Sequence, residues 1–94
     1  MEKAIALLEV QALTAAIEGL DAMLKAANVR LVHVEKRLGG RLVTIVVDGT
    51  VSDVTAAAEA GKIAATKVGV VCLCEVIPRP HPQIVELLYT DVVL

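Results

Sequence analysis

The sequence predicts a small α+β domain with the element order β-α-β-β-α-β and a short helix at its C-terminal end. Three observations lead to this fold class. An apolar run opens the chain, the hydrophobic period then changes to that of a helix, and a pair of glycines separates two further strand-like runs. The 94 residues suit one domain, 1–94, with a core over about 4–88 and a short tail over 89–94.

The first half of the chain predicts a strand, a helix and a hairpin. Residues 4–10 are apolar apart from Glu9 and predict the first strand. Apolar side chains three or four apart predict an amphipathic helix over about 12–27. We assign its core face to Leu13, Ala16, Ile17, Leu20, Leu24 and Ala27. Residues 29–36 and 42–48 predict two strands joined by a glycine turn.

The second half predicts another helix with a well-marked start. Thr50 followed by Asp53 is typical of a capped helix N-terminus. The alanine-rich sequence extends this helix to Lys67, and Gly69 is suited to end it. Small side chains that pack closely on a sheet are predicted for its core face, which consists of Val54, Ala57, Ala58, Gly61 and Ala65.

The last two elements complete a recognisable topology. Residues 70–77 predict a fourth strand, which two prolines end, and Pro82 suits the first position of a helix that runs to Leu88. The complete order is the split βαβ, or ferredoxin-like, arrangement of an antiparallel sheet. We expect the two long helices to cover one face of that sheet and to leave the other face to partners.

Composition favours an oligomer over a membrane or nucleic-acid protein. Hydrophobic residues make up 56% of the chain and the mean hydropathy is +0.72, which is more apolar surface than one small core needs. No run of roughly 18 uncharged apolar residues is present, so we expect no membrane span. The net charge of −2 and a single aromatic residue, Tyr89, argue against a nucleic-acid partner. The additional apolar surface is therefore predicted to lie between subunits.

Residues that carry chemistry are few and scattered. His33 and His81 have no evident nucleophile or acid partner. Cys72 and Cys74, without an export signal, indicate a reducing cytosol and are interpreted as small buried hydrophobes, because a metal site needs more ligands. The acidic residues are interpreted as solvated charges; they are Asp48, Asp53, Glu59 and Glu75. We predict no enzyme activity, no cofactor and no metal.

Four segments in order resemble the hexameric shell proteins of bacterial microcompartments. They are 21–29 (DAMLKAANV), 42–45 (LVTI), the small residues of 57–65, and 77–81 (IPRPH). The resemblance spans residues 4–88. It implies a structural protein of the microcompartment shell in the bacterial cytoplasm, made of homo-hexamers that tile edge to edge. Its implied partners are neighbouring hexamers, other shell paralogues, enclosed enzymes and small metabolites that cross a central pore.

The resemblance also implies site residues. Lys25, Arg79 and His81 would lie at the edge between hexamers, and the loop from Arg37 through Leu38, Gly39 and Gly40 to Arg41 would line the pore. Rings of positive charge from the two arginines would favour anionic metabolites, unless an arginine points away or pairs with Glu35. The residues themselves leave ordinary roles open, as a solvated hairpin turn and as exposed cations.

The sequence departs from the pattern of this family at several positions. The first strand ends in Glu9-Val10-Gln11-Ala12, without the usual threonine and glycine, and the pore loop is one residue longer and lacks a serine. Asp48-Gly49-Thr50 reverses the local charge of the usual Arg-Gly-Asp, and residues 89–94 match no part of the pattern. The alternative function is an oligomeric, ferredoxin-like module that binds a small regulatory molecule, because fold alone does not fix function.

Overall fold

The computed structural model describes residues 3–90, apart from the side chain of Thr90. Its elements are β1 (Ala4–Val10), α1 (Leu13–Ala26), β2 (Arg30–Arg37), a 3-10 turn (Leu38–Gly40), β3 (Leu42–Gly49), α2 (Val51–Thr66), β4 (Val71–Ile77) and α3 (Pro82–Thr90). The predicted order and fold class are confirmed. Of the predicted tail, 89–90 extend α3, and 91–94 lie outside the described residues.

The four strands form one antiparallel sheet in the order β2-β3-β1-β4. The register gives this sheet two distinct ends. We call one the loop end, where the paired residues are Val10, Arg37, Leu42, Val43 and Val71. We call the other the proline end, where the paired residues are Ala4, Ile5, Arg30, Asp48, Gly49 and Ile77.

The main core lies between one face of the sheet and the two long helices. Helix α2 begins as predicted, because the Thr50 hydroxyl accepts a hydrogen bond from the Asp53 backbone N–H at 3.1 Å. Its buried residues are the five predicted ones, Val54, Ala57, Ala58, Gly61 and Ala65. The small side chains let α1 and α2 approach closely: a Cβ built on Gly61 would lie 2.5 Å from Met23 Cγ.

The predicted core face of α1 is wrong for its largest side chains. Leu13, Ile17 and Leu24 are 42%, 55% and 45% exposed. The residues that α1 buries are Ala15, Ala16, Gly19 and Met23. The close approach of α2 admits mainly small side chains, so the bulky residues point outward and form an apolar surface, here called the outer stripe (Leu13, Ile17 and Leu24).

Helix α3 lies against the opposite face of the sheet, so that face is partly covered. Ile5 and Val46, which alternate with the residues of the main core, are each 1% exposed. Leu88 of α3 shares a concavity with Leu7 and Val46 on this face. Tyr89 donates a hydrogen bond from its hydroxyl to Asp48 of β3. Helix α3 therefore covers part of the sheet face that the sequence analysis left to partners.

Candidate functional site

The predicted site residues lie at opposite ends of the sheet. Helix α1 runs back from the loop end, so Lys25 in its last turn lies toward the proline end, where β4 leads into Arg79 and His81. The turn between β2 and β3 lies at the loop end. Strands of seven or eight residues separate the two groups, which corresponds to about 25 Å at about 3.3 Å per residue. The structure therefore does not bring the two groups together.

The turn at the loop end has an unusual backbone. Three consecutive residues have positive φ: Leu38 at 56°, Gly39 at 68° and Gly40 at 89°. This region suits glycine but is unfavourable for leucine by about 1–2 kcal/mol. A Cβ built on Gly39 would meet no atom within 4 Å, and the Leu38 side chain is 64% exposed. The turn thus projects an apolar side chain and bare backbone away from the domain.

Both arginines of this turn bond to groups of the same chain. The Arg37 guanidinium donates to Glu35, with Nε 2.7 Å from Oε2 and a second contact through its terminal nitrogen. Hydrogen bonds from Arg37 and then His33 hold the pKa of Glu35 below its usual value, so the carboxylate stays charged beside Arg37. The Nε of Arg41 donates to the Leu38 carbonyl at 2.9 Å. The alternative in which Arg37 pairs with Glu35 is the one observed.

At the proline end, the predicted edge residues are exposed. Lys25 Nζ lies 2.7 Å from Asp21 Oδ2, and this hydrogen bond raises the pKa of Lys25. The Lys25 side chain is still 75% exposed. Arg79 is exposed between two prolines, which restrict its backbone. Of the three predicted edge residues, Lys25 and Arg79 thus present long cationic side chains to solvent.

His81 has a clear role within the fold. Its backbone carbonyl accepts from the Ile84 N–H at 2.8 Å, and its ring Nδ1 accepts from the Gln83 N–H at 3.1 Å. These are N-terminal groups of α3 that otherwise lack partners in a helix. His81 therefore caps α3 and fixes the direction in which that helix leaves the Pro-Arg-Pro segment.

A buried polar cluster at the proline end escaped the sequence analysis. Asp48 is 1% exposed, so its interpretation as a solvated charge is wrong. Its Oδ2 accepts from the Arg30 guanidinium at 3.0 Å and from the Tyr89 hydroxyl at 2.6 Å. Burial first, and then the Asp48 hydrogen bond, raise the pKa of Tyr89 to about 12. The available signal was an aspartate in an otherwise β-branched strand, together with the single aromatic residue of the chain.

The Tyr89 pKa predicts an alkaline weakness of the fold. A folded-state pKa raised from 10.0 to about 12 means that the folded protein holds this proton more tightly. Its contribution to the free energy of unfolding is fully present below pH 10 and is lost as pH rises towards 12. We expect Tyr89→Phe to lose less stability than wild type over this interval, measured by urea unfolding under reducing conditions. Parallel pH profiles for the two proteins would contradict this assignment.

The two cysteines differ in their surroundings. Both are free thiols, but Cys72 is exposed and only Cys74 is partly buried, with its Sγ 3.7 Å from the Ala58 carbonyl. Their interpretation as two buried hydrophobes is therefore wrong for Cys72. Cys72 lies at a register shift between β1 and β4. Leu73 pairs with Glu9 and Val71 pairs with Val10, so Cys72, between them, has no partner residue in the β1 register. Burial raises the pKa of the Cys74 thiol.

Residues 3–90 contain neither a metal-binding cluster nor a membrane-spanning helix. Within this range, no group of three or more His, Cys, Asp or Glu side chains is arranged to hold a metal ion. None of the helices in the described part of the chain combines the length and the apolar character needed to cross a bilayer.

Comparison with known proteins identifies the family. The chain belongs to the BMC-domain family, whose model matches residues 4–80, and the resemblance noted in the sequence is thereby confirmed. It is 49% identical over 87 residues to the bacterial microcompartment shell protein PduA of Citrobacter freundii, covering 93% of this chain and 92% of the relative. It is 45% identical over 85 residues to the shell protein EutM of Escherichia coli K12, covering 90% and 87%.

A solved structure shares the fold. The crystal structure of a microcompartments protein from Desulfitobacterium hafniense superposes with a TM-score of 0.82 at 31% sequence identity. The match covers 100% of this chain and 51% of the solved one, so this chain spans about half the length of that protein.

Proposed function

We propose that this protein is a structural component of a bacterial microcompartment shell. In this proposal residues 1–94 form one shell domain, six copies form a cyclic hexamer, and hexamers tile into facets. The family membership and the names of the relatives support this role. The shell would lie in the bacterial cytoplasm around enclosed enzymes, and the chain itself would carry out no catalysis and need no cofactor.

The observation that carries the proposal is the separation of the two candidate groups across one sheet. A subunit of a flat, six-fold ring needs one end at the axis and the other at the perimeter. The Leu38–Gly40 turn and the exposed Lys25 and Arg79 lie at opposite ends of the same sheet. In the proposed hexamer the loop from Arg37 to Arg41 lines the pore, while Lys25 and Arg79 contact neighbouring hexamers and His81 orients α3 beside them.

The apolar surplus supports assembly. The outer stripe of α1 leaves three large aliphatic side chains partly in water, and exposed residues elsewhere add to it. These further residues are Leu31, Val51, Ile63, Val68, Val70, Leu73, Ile84 and Leu87. Burial of this apolar area between subunits would stabilise an assembly by about 25 cal/mol per Å² of area removed from water. We propose that the stripe lies within the hexamer.

The mass of the purified protein in solution, with negative-stain microscopy of the same sample, tests the proposal. We expect a hexamer mass together with sheets or tubes. A discrete hexamer without larger assemblies would keep the ring and remove the proposed edge. A dimer or trimer without assemblies, whose melting temperature rises with a nucleotide or amino acid, would contradict the shell role and favour a regulatory module.

A further inference from the structure

We propose that Leu38 forms an apolar constriction on the six-fold axis, through which small uncharged solutes pass more readily than ions of either sign. This inference rests on the hexamer proposed above and assigns a class of solute to its pore. It departs from the anion preference that the arginine-containing sequence of the loop suggests.

The first support is the way in which the chain presents Leu38. The side chain is 64% exposed in the subunit although its backbone occupies a region unfavourable to leucine. The Leu38 carbonyl accepts from the backbone N–H of Arg41 at 3.3 Å and from Nε of the same residue at 2.9 Å. These two bonds fix the turn from one side. These bonds therefore hold the strained conformation of Leu38 in place, and this conformation exposes its apolar side chain at the tip of the turn.

The second support is that both arginines of the loop already bond to groups of the same subunit. Arg37 bonds to Glu35 of the same strand, and that carboxylate offsets its charge. The Arg41 guanidinium donates to the Leu38 carbonyl, so its orientation is restrained within the same subunit. The charge of Arg41 remains and would attract anions to the mouth of the pore. To pass the tip, however, an ion must shed water at an apolar ring that offers no replacement ligands.

The proposed six-fold symmetry lets the Leu38 side chain determine the width of the pore. A single leucine in a subunit becomes a ring of six in the proposed hexamer, so the opening narrows equally from all sides. Short apolar constrictions in channels oppose ions by dewetting, whereas a small alcohol or aldehyde loses far less on leaving water. The expected selectivity is therefore by charge and size, in favour of small uncharged solutes.

A cross-linking experiment tests the position of Leu38. In a Cys72→Ser, Cys74→Ser background, Leu38→Cys should form disulfides between subunits under mild oxidation, because neighbouring Cα atoms on a narrow ring can approach within about 7 Å. Lys62→Cys, on the exposed side of α2, is the matched control and should not cross-link within the hexamer. A hexamer by native mass spectrometry without Leu38→Cys cross-links would overturn this inference and leave the proposed ring standing. Absence of a hexamer would overturn both.

Ion conductance of hexamers in a planar lipid bilayer tests the selectivity. Wild type should conduct potassium chloride poorly, Leu38→Met should behave like it, and Leu38→Ser should conduct at least about tenfold better because the ring becomes wettable. Leu38→Lys reports successful insertion, since six cations at the tip should give an anion-selective current. A wild-type current that prefers chloride, and that loses this preference in Arg37→Gln with Arg41→Gln, would overturn the proposal.

Discussion

Lys25→Ala and Arg79→Ala are each expected to leave the hexamer intact and to abolish extended sheets. Lys25 is 75% exposed and its ion pair with Asp21 lies on the helix surface, where solvent screens it, so its loss should change the free energy of unfolding very little. In the proposed shell, assembly is more sensitive, because every hexagon would repeat each edge contact around its perimeter. A small loss per contact is thereby multiplied over the whole sheet.

Arg79 should tolerate even a conservative change poorly. Its flanking prolines present the side chain in a restricted direction, and a guanidinium can donate to several acceptors in one plane. Lysine keeps the charge but offers a single ammonium group. We therefore expect Arg79→Lys to lose most of the sheets as well, which would separate a directional contact from simple charge.

Sedimentation velocity gives the hexamer fraction of these variants, and negative-stain microscopy gives the extent of sheets. Lys62→Ala, which removes an exposed lysine from α2, is the control and should assemble like wild type. Sheets of normal extent from Lys25→Ala or Arg79→Ala would refute the edge assignment for that residue. A variant that falls to monomers would instead move the residue to the interface within the ring.

Local signals in the sequence were sufficient for the fold because each had a short-range cause. The Thr50 cap, the Gly39-Gly40 turn and the proline at the start of α3 act through backbone geometry within a few residues, and each is found where predicted. The small-residue face of α2 was also predicted correctly, because its members recur three or four residues apart and are the residues that the helix buries.

The errors share a different physical origin, because they depend on contacts between elements distant in the chain. Periodicity alone could not choose between the two apolar faces of α1, and the close approach of α2 decided it in favour of the small residues. The burial of Asp48 involves partners distant in the chain, since Arg30 and Tyr89, which are 18 and 41 residues away, bond to its carboxylate. The exposure of Cys72 depends on a register shift against β1.

One departure from the family pattern gains a structural meaning. The family commonly places a glycine after the first strand, and this chain has Ala12 at that position. Its φ is 81°, a region where glycine is at ease and alanine is not. The chain therefore keeps the backbone path without the residue that suits it, which indicates that contacts on either side impose the path. One such contact is the Ala12 N–H bond to the Arg41 carbonyl at 3.2 Å, which joins the start of α1 to the turn between β2 and β3.

Substitutions where α1 packs against α2 are expected to have the largest effect on the free energy of unfolding. A Cβ on Gly61 would lie 2.5 Å from Cγ and 3.0 Å from Sδ of Met23, which is fully buried. Gly61→Ala should therefore lower the free energy of unfolding by about 1–3 kcal/mol, although alanine favours a helix by about 1 kcal/mol. Ala56→Gly, on the exposed side of α2, measures that helix preference separately.

A double-mutant cycle then identifies the cause. Met23→Ala alone should cost about 2–5 kcal/mol, because it leaves a cavity between the helices. In that background the added methyl of Gly61→Ala has room, so the second change should stabilise the protein by up to about 1 kcal/mol through helix preference alone. The sign of the Gly61 effect thus reverses when Met23 is shortened. Urea unfolding followed by circular dichroism measures all four proteins, at one protomer concentration so that the proposed assembly would contribute equally to each. An unchanged cost of Gly61→Ala in both backgrounds would mean that Met23 is not the obstacle, and that the approach of the two helix backbones limits this crossing instead.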